Sequence, residues 1–381
     1  VLTLLDAVRA NGPDVRAYKA LGNLSVAAQG ELLLFNYTPL AVYTGAWNDV
    51  EVVSRGLIIH WPTATVAALP FPKFWNLNER PETRLETLPD GSCEITEKLD
   101  GSLGILVRLP DGPAVATRGS FASRQAQWAT AHLRARHNLR SLPEDVTLLF
   151  EIVYPDNPDG PILRYGDTEA LFLIGARRFD GHDSGYGELE ALAAAYGFPL
   201  APRFDALGIA ELAPLAATYT GIEGWVVRFE GGLRVKVKTE EYLRLHRLVS
   251  NVSPGRIQEM LLQEGAPAFQ AFVVNLPDEF QREAEAYAHA MLAYVDREAA
   301  RLRAIFKGPL APYAVEVRAQ GPSARKAFAL AVKAAYAADA TYLFALLDGR
   351  DIRPSLLRAM DLAALESPAG LRRGAPRQAE L

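Results

Sequence analysis

Two patterns of apolar and polar residues divide the chain. Between about residues 30 and 242 the apolar residues come in short runs broken by Gly and Pro, at 56–61, 93–96, 103–109, 146–153, 171–176, 224–229 and 233–238. Such runs, rich in Val, Ile, Leu and Phe and bounded by turn formers, predict strands. Helical spacing interrupts them at 123–140 and 188–196. Strands without regular strand–helix–strand alternation predict an α+β fold of mainly antiparallel sheets. From Ser253 onward the period changes. Residues 277–307 are rich in Ala, Glu and Arg, with apolar positions three and four apart. Ser323 stands where a cap would open a second Ala-rich helix, and 341–347 and 354–365 also read as helices. The expected organisation is an α+β domain over 1–250 and an all-α domain over 251–381. The tail from Gly370, with Arg372, Arg373 and Arg377, is expected to fray.

Charged residues inside the apolar runs are the chemically informative ones. Lys98 follows the strand-like 93–96 and precedes Asp100-Gly101 and a second apolar run, which puts an amine at a strand end beside a tight turn. Lysine attacks only when neutral, and desolvation or neighbouring cations favour that form. By itself K-x-D-G is a weak signal, because a lysine before a hairpin turn is most often solvated. Arg55 stands at the mouth of the run 56–61, and Glu151 interrupts Leu149-Phe150-Glu151-Ile152-Val153. A carboxylate in an apolar strand is costly unless paired or metal-bound. Glu223 precedes Gly224-Trp225-Val226-Val227, and Lys236 and Lys238 alternate with Val235 and Val237 on one strand face. Each alone is compatible with an ion pair or a solvated sheet face. Together, three cations, two carboxylates and a candidate nucleophile suit a polyphosphate and a hard divalent cation. The sequence has no P-loop and no dinucleotide-binding G-x-G-x-x-G.

Composition narrows the classes. At 381 residues, 49% of them hydrophobic, the chain can fill two domains. Its net charge of −5 supplies no global basic field, so nucleic acid would need a local patch. A single cysteine, Cys93, excludes a disulfide framework and a Cys-based zinc site, and the six histidines lack metal-ligand spacing. No run approaches ~18 apolar residues, so no membrane span is expected. The first residues carry neither a charged n-region nor a cleavage site, and the expected location is cytoplasmic.

The ordered motifs K-x-D-G, F-E-x-V, E-G-x-V-V and K-V-K resemble those of covalent lysine–nucleotide ligases and mRNA capping enzymes. Within that superfamily the chain is similar to the family of the bacteriophage T4 tRNA-repair RNA ligase. The likeness lies in Ser54-Arg55-Gly56, Lys73-Phe74-Trp75-Asn76-Leu77-Asn78-Glu79, residues 98–103, Arg118-Gly119-Ser120, Phe150-Glu151, Ile222-Glu223-Gly224 and Lys236-Val237-Lys238 with Tyr242 and Leu245-His246. It spans about 35–246; in the helical region only 313–316 match, weakly. The resemblance implies an α+β nucleotidyltransferase domain of antiparallel sheets with flanking helices, ATP-grasp-like, followed by an all-α domain with a role in RNA choice.

It further implies ATP with Mg²⁺ or Mn²⁺, and Lys98 as the residue that takes AMP. Glu97, Leu99, Asp100 and Gly101 would bind the nucleotide, the last two shaping the turn and the ribose contact. Glu151 would meet the ribose or a metal-bound water and Glu223 would support the metal. Lys236 would hold the α-phosphate, and Arg55, Lys73 and Lys238 the leaving pyrophosphate. Ile174 and Val226 would sandwich adenine, with register near Ile174 shifted by an apparent insertion at Asp159-Gly160. Arg118 stands where the family often has lysine and Trp75 where it has phenylalanine. The partner implied is RNA with 5′-phosphate and 3′-hydroxyl ends, joined by a monomer alongside end-healing kinase or phosphatase enzymes. The rival readings are a DNA ligase, a capping-type nucleotidyltransferase and an inactive RNA-binding homologue. The first two are weakened because no segment reads as the β-barrel that usually follows.

Overall fold

A computed structural model describes residues 1–155, 162–163, 165–250, 252–276 and 278–362. The insertion expected at Asp159-Gly160 and the tail from Gly370 lie outside the described residues. The chain forms two compact units, Val1–Ser250 and Asn251–Leu381.

Twelve strands of the first unit form three four-stranded sheets. They are β1 (Leu24–Gln29), β2 (Leu32–Tyr37), β3 (Arg55–His60), β4 (Thr65–Ala68), β5 (Trp75–Asn76), β6 (Cys93–Lys98), β7 (Ser102–Leu109), β8 (Gly112–Thr117), β9 (Val146–Val153), β10 (Ala170–Arg178), β11 (Gly224–Phe229) and β12 (Arg234–Lys238). The orders are β1-β2-β3-β4, β10-β9-β7-β8 and β5-β12-β11-β6. All pairs are antiparallel except β12 with β5.

Apolar alternation explains how these sheets stack. Leu32, Leu34 and Ile58 of the first sheet pack on Ile105, Val107, Ala114, Ala116 and Leu149 of the second. The opposite faces are covered by helices. Leu4 and Val8 of the helix Leu2–Asn11 lie on Leu33, Phe35, Leu57 and Ile59. Leu133 of the helix Arg124–Arg136 and Leu189 of the helix Tyr186–Tyr196 lie on Leu106, Leu148, Phe150 and Ile152. In the third sheet Trp225, Val227, Val235 and Val237 pack on Leu212 and Ala216 of the helix Ile209–Ala216. That burial leaves its other face to Lys98, Val226, Lys236 and Lys238.

The Asp100-Gly101 turn is not a hairpin. β6 pairs with β11, whereas β7 pairs with β8 and β9, so the turn carries the chain from the third sheet into the second. The two sheets meet there because residue 101 is glycine. A Cβ on Gly101 would stand 2.6 Å from the Ile152 carbonyl oxygen and 3.0 Å from Glu151 Cγ. Gly224 is as constrained, with φ 149° and the Val237 carbonyl where a Cβ would be. Gly224→Ala is expected to cost about 3 kcal/mol through overpacking at β11–β12. A melting temperature within a degree or two of the parent would refute that.

The second unit is helical: Pro254–Gln263, Gly265–Val274, Asp278–Lys307, Ala311–Gln320, Arg325–Ala335, Ala340–Leu347 and Arg353–Arg358. Ile257, Met260, Phe269, Met291, Leu302, Phe328, Val332 and Leu343 fill its interior. Two local expectations are corrected. Ser323 does not cap the helix Arg325–Ala335; its hydroxyl donates back to the Gln320 carbonyl, and a 3₁₀ turn at Gly321–Ala324 leads into the helix. The helix expected over 354–365 is described as Arg353–Arg358, with residues beyond 362 outside the described part.

Candidate active site

Strand register places the charges. Across the third sheet Gly224 lies between Lys98 and Lys238, Val226 between Thr96 and Lys236, and Arg228 between Glu94 and Arg234. The glycine in the first row leaves room over the strand for two lysines and a carboxylate. Lys98 Nζ lies 2.6 Å from Glu223 Oε2 and Lys238 Nζ 3.2 Å from Glu223 Oε1. Glu223 is 2% exposed and bridges both amines. Lys236 is buried too, its Nζ 5.5 Å from the Phe74 ring centre. The strand face carrying Lys236 and Lys238 is therefore an enclosed site and not a solvated sheet face.

A cleft of about 520 Å³, counting its part open to solvent, lies over this face. The third sheet contributes Thr96, Glu97, Lys98, Val226 and Arg234, and the second Leu103, Glu151 and Ile174. Arg55 comes from the first sheet, and Leu99, Phe71 and Phe74 complete the lining. A space of this size, apolar on two walls with a few charged groups, suits a nucleotide. Seven of the residues singled out in the sequence thus line one cleft: Arg55, Glu97, Lys98, Leu99, Glu151, Ile174 and Val226. Ile174 and Val226 reach it from different sheets.

Glu151 is the most perturbed acid here. Burial pushes its carboxyl up to about 7, against the pull of the Lys98 and Arg55 charges. Its carboxylate has no hydrogen-bond partner among the described residues. Burial likewise raises the Glu97 carboxyl.

Asp100 is held in the turn by its neighbours. Its Oδ2 accepts from the Ile162 and Leu163 amides at 2.7 and 3.0 Å, and its Oδ1 from the Tyr242 hydroxyl at 3.0 Å. Its own amide donates to the Tyr165 hydroxyl at 2.7 Å. Both carboxylate oxygens are thus occupied in anchoring the nucleophile turn. Burial, then the Glu223 charge, raises the Asp100 carboxyl all the same.

Beside the cleft, Lys73 is 3% exposed, with Nζ 5.5 Å from the Trp47 ring centre and 5.9 Å from that of Trp75. Trp75 also carries the Arg80 guanidinium at 5.3 Å. Arg118 lies 5.1 Å above the Tyr37 ring and donates to its hydroxyl at 3.1 Å. Lys73, Trp75 and Arg118 are not part of the cleft lining.

Sequence reasoning gave no role to Phe71, Thr96, Leu103, Arg234 or Tyr165. Arg234 was within reach, since it continues the alternation of Lys236 and Lys238. There it closes the far end of the cleft, 4.0 Å above the Phe71 ring and paired with Asp183. Phe71 had no such signal: it lies where a Cβ on Gly175 would be, so a bulge in a distant strand admits it.

Comparison with known proteins shows what the chain resembles. The family described as RNA ligase matches residues 53–242, and over that span the chain is similar to it. A Thermovibrio ammonificans protein named "Putative RNA ligase" is 28% identical over 236 residues, covering 58% of this chain and 60% of that protein. The chain thus spans about 60% of that relative's length. An archaeal ATP-dependent RNA ligase structure is 17% identical with a TM-score of 0.46, covering 80% of this chain and 82% of its own. An Aquifex aeolicus structure named "Putative ATP-dependent DNA ligase" is 18% identical with a TM-score of 0.44, covering 80% and 79%. No helix among the described residues is long and apolar enough to cross a membrane.

Proposed function

We propose that the chain is an ATP-dependent RNA ligase that joins 5′-phosphate and 3′-hydroxyl ends. The observation that carries this reading is Lys98 at the wall of a nucleotide-sized cleft, bound to a carboxylate that also holds Lys238. Lys98 Nζ attacks the α-phosphorus of ATP; an N–P bond forms and the bond to the bridging oxygen breaks, releasing pyrophosphate. The amine loses its proton for this, and Glu223 at 2.6 Å is positioned to accept it. AMP passes to an RNA 5′-phosphate, and a 3′-hydroxyl then displaces it to form the phosphodiester. Ile174 and Val226 hold adenine, Lys236 the α-phosphate, and Arg55, Lys73 and Lys238 the pyrophosphate, while Arg118 adds charge at the entrance.

The residues present fit a divalent cation. Among the described residues no group of three or more His, Cys, Asp or Glu could hold a metal ion. Mg²⁺ needs only one or two carboxylates beside substrate phosphates and water, and Mn²⁺ shares its oxygen preference. Glu151, unpaired and pushed up to about 7, is the first candidate ligand. Glu223, once free of the Lys98 proton, would be the second residue to hold the cation. The cation would supply positive charge against the phosphates.

This predicts a pH signature. A carboxyl raised in the folded state favours the protonated form, so its contribution to stability declines as pH rises from the ordinary carboxylate range through about 7. Mg²⁺ opposes that decline by binding the ionised form. Thermal melts should show a larger Mg²⁺-dependent rise at pH 8 than at pH 6, and Glu151→Gln should abolish the difference. Equal Mg²⁺ increments at both pH values in the parent would exclude Glu151 as a ligand.

The second unit is proposed to choose RNA and not to perform chemistry. Arg325 and Arg353 of this unit are engaged by carboxylates, Arg325 with Asp348 at 2.7 Å and Arg353 with Asp296. Alanine at either should change RNA joining less than twofold, since exposed pairs contribute little (roughly 0–1 kcal/mol); a larger loss would assign them to RNA. The described residues after β12 form helices and no barrel, which favours the RNA ligase reading over the DNA ligase and capping readings. A place in tRNA repair with end-healing kinase or phosphatase partners, a monomeric state and a cytoplasmic location belong to the same proposal. Incubation with α-labelled ATP and Mg²⁺, followed by addition of 5′-phosphorylated RNA or DNA, tests it. Lack of a labelled protein band, or joining of DNA alone, defeats it.

A further inference from the structure

The functional face of the third sheet carries three rows of side chains. Lys98, Gly224 and Lys238 form the first, Thr96, Val226 and Lys236 the second, and Glu94, Arg228 and Arg234 the third. Alternate positions of a strand share a face, so all three rows look the same way. The four residues from Lys238 back to Arg234 cover about 14 Å. Arg234 lines the nucleotide cleft at that remove from the row of Lys98.

The Arg234 side chain is fixed. Its Nη1 donates to Asp183 Oδ2, its Nη2 to Asp183 Oδ1 at 2.9 Å, and Nη1 also reaches the Gly232 carbonyl at 3.4 Å. The Phe71 ring centre lies 4.0 Å from its Cζ. Asp183 is held in turn: its carbonyl accepts from Arg228 Nη2 at 2.7 Å, while Arg228 Nη1 donates to Glu94 Oε2 at 3.1 Å. A guanidinium has five N–H donors. Three are engaged, which leaves Nε–H and one Nη2 hydrogen without a protein partner among the described residues. A buried ion pair stabilises a fold little more than apolar residues of the same volume would. A rigid guanidinium with unspent donors at the end of a cleft therefore asks for a ligand acceptor.

We propose that Arg234 selects adenine by donating to its N1. The inference rests on the nucleotide reading above, with the α-phosphate at Lys98 and Lys236 and the base between Ile174 and Val226. A purine joins ribose through its five-membered ring, so its six-membered ring projects past Val226 toward the third row, with N1 on the far edge. In adenine N1 is an acceptor. In guanine it carries a hydrogen, which faces a group that can only donate and leaves both donors unpaired. A pyrimidine is one ring shorter and stops before the third row.

The test is equilibrium binding to the full chain, by calorimetry without divalent cation so that no AMP is transferred. The ligands are ATP, 1-deaza-ATP (a C–H in place of N1), GTP and CTP. The parent should bind 1-deaza-ATP roughly tenfold or more weaker than ATP, the scale of a lost hydrogen bond to a charged donor, and GTP and CTP at least as weakly. Arg234→Met keeps an unbranched side chain over Phe71 and should bind ATP and 1-deaza-ATP equally, both at the parent's 1-deaza level. A parent that holds 1-deaza-ATP or GTP as tightly as ATP overturns the proposal whether or not the variant folds. A folded variant that keeps the parent's ratio shows another donor at N1 and overturns it too. Labelling of the same parent with α-labelled ATP and Mg²⁺ separates the two readings. Binding with the expected selectivity but no lysyl-AMP would defeat the ligase reading and leave Arg234 as the base reader; no binding of ATP would defeat both.

Discussion

Lys98→Ala should reduce covalent labelling by ATP to background, a fall of roughly a thousandfold or more, as expected when an attacking group is deleted. Lys98 is the lysine that lines the cleft, whereas Lys73, Lys236 and Lys238 lie outside its lining. The fold should survive, because Glu223 keeps Lys238 at 3.2 Å after Lys98 is gone. The lysine side chain is 22% exposed, so its loss opens little interior space. Joining of pre-adenylylated RNA should suffer far less, since that substrate bypasses the step in which Lys98 bonds to phosphorus. The measurements are a gel-shifted or radiolabelled protein band, a melting curve, and a sealing assay with the activated donor. A labelled band at near-parent intensity would show that another residue takes AMP.

The strands were legible because the sheets bury both faces. A run such as 146–153 is apolar at all but Thr147 and Glu151 and too short for a helix, and β9 occupies those residues. The first sheet was read only in part. β2 is buried at all six positions, but its Leu-rich sequence followed by Asn-Tyr lacks β-branched residues and carries no strand signature of its own. The Asp100-Gly101 turn misled for a different reason. Turn chemistry is local, and it says that the chain bends, not whether the two strands pair. Pairing was decided by β11 and β9, more than forty residues further on.

The candidate site divides in the same way. Lys98, Glu151 and Glu223 announced themselves as charges in apolar surroundings, where the cost of burial demands a reason. The roles of Asp100 and the lysines of β12 depended on tertiary partners. Asp100 is held by two amides near residue 162 and by Tyr242, none of which lies near it in sequence. Lys236 and Lys238 alternate like surface residues, and only the covering of that face by Phe74, Tyr242 and Glu223 turns them into an enclosed pair. The aromatic cluster at Trp47 was invisible because its rings come from separate segments that β2, β3 and β5 bring together.

Glu223→Ala should damage both stability and chemistry. One carboxylate holds two ammonium groups in a largely dry place, with Glu223 2% exposed. Its removal leaves Lys98 and Lys238 near each other without their shared counter-ion, and breaking a buried pair in this way costs about 3–5 kcal/mol. Lys98 would also lose the group that orients its Nζ and takes its proton, so labelling should fall roughly a hundredfold or more, the scale of a lost general base. The two losses can be separated. Adding Lys238→Met to Glu223→Ala removes the second uncompensated charge, so the double variant should recover most of the melting temperature. Its labelling should stay low, because nothing has replaced the acceptor at 2.6 Å from Lys98. Glu223→Gln keeps the shape and an oxygen that can accept a hydrogen bond, but not the charge. It should therefore fold nearly as well as the parent while remaining deficient in lysyl-AMP formation. Should the double variant regain labelling together with stability, Glu223 would be a counter-ion that keeps the site folded, and the proton would leave Lys98 by another route.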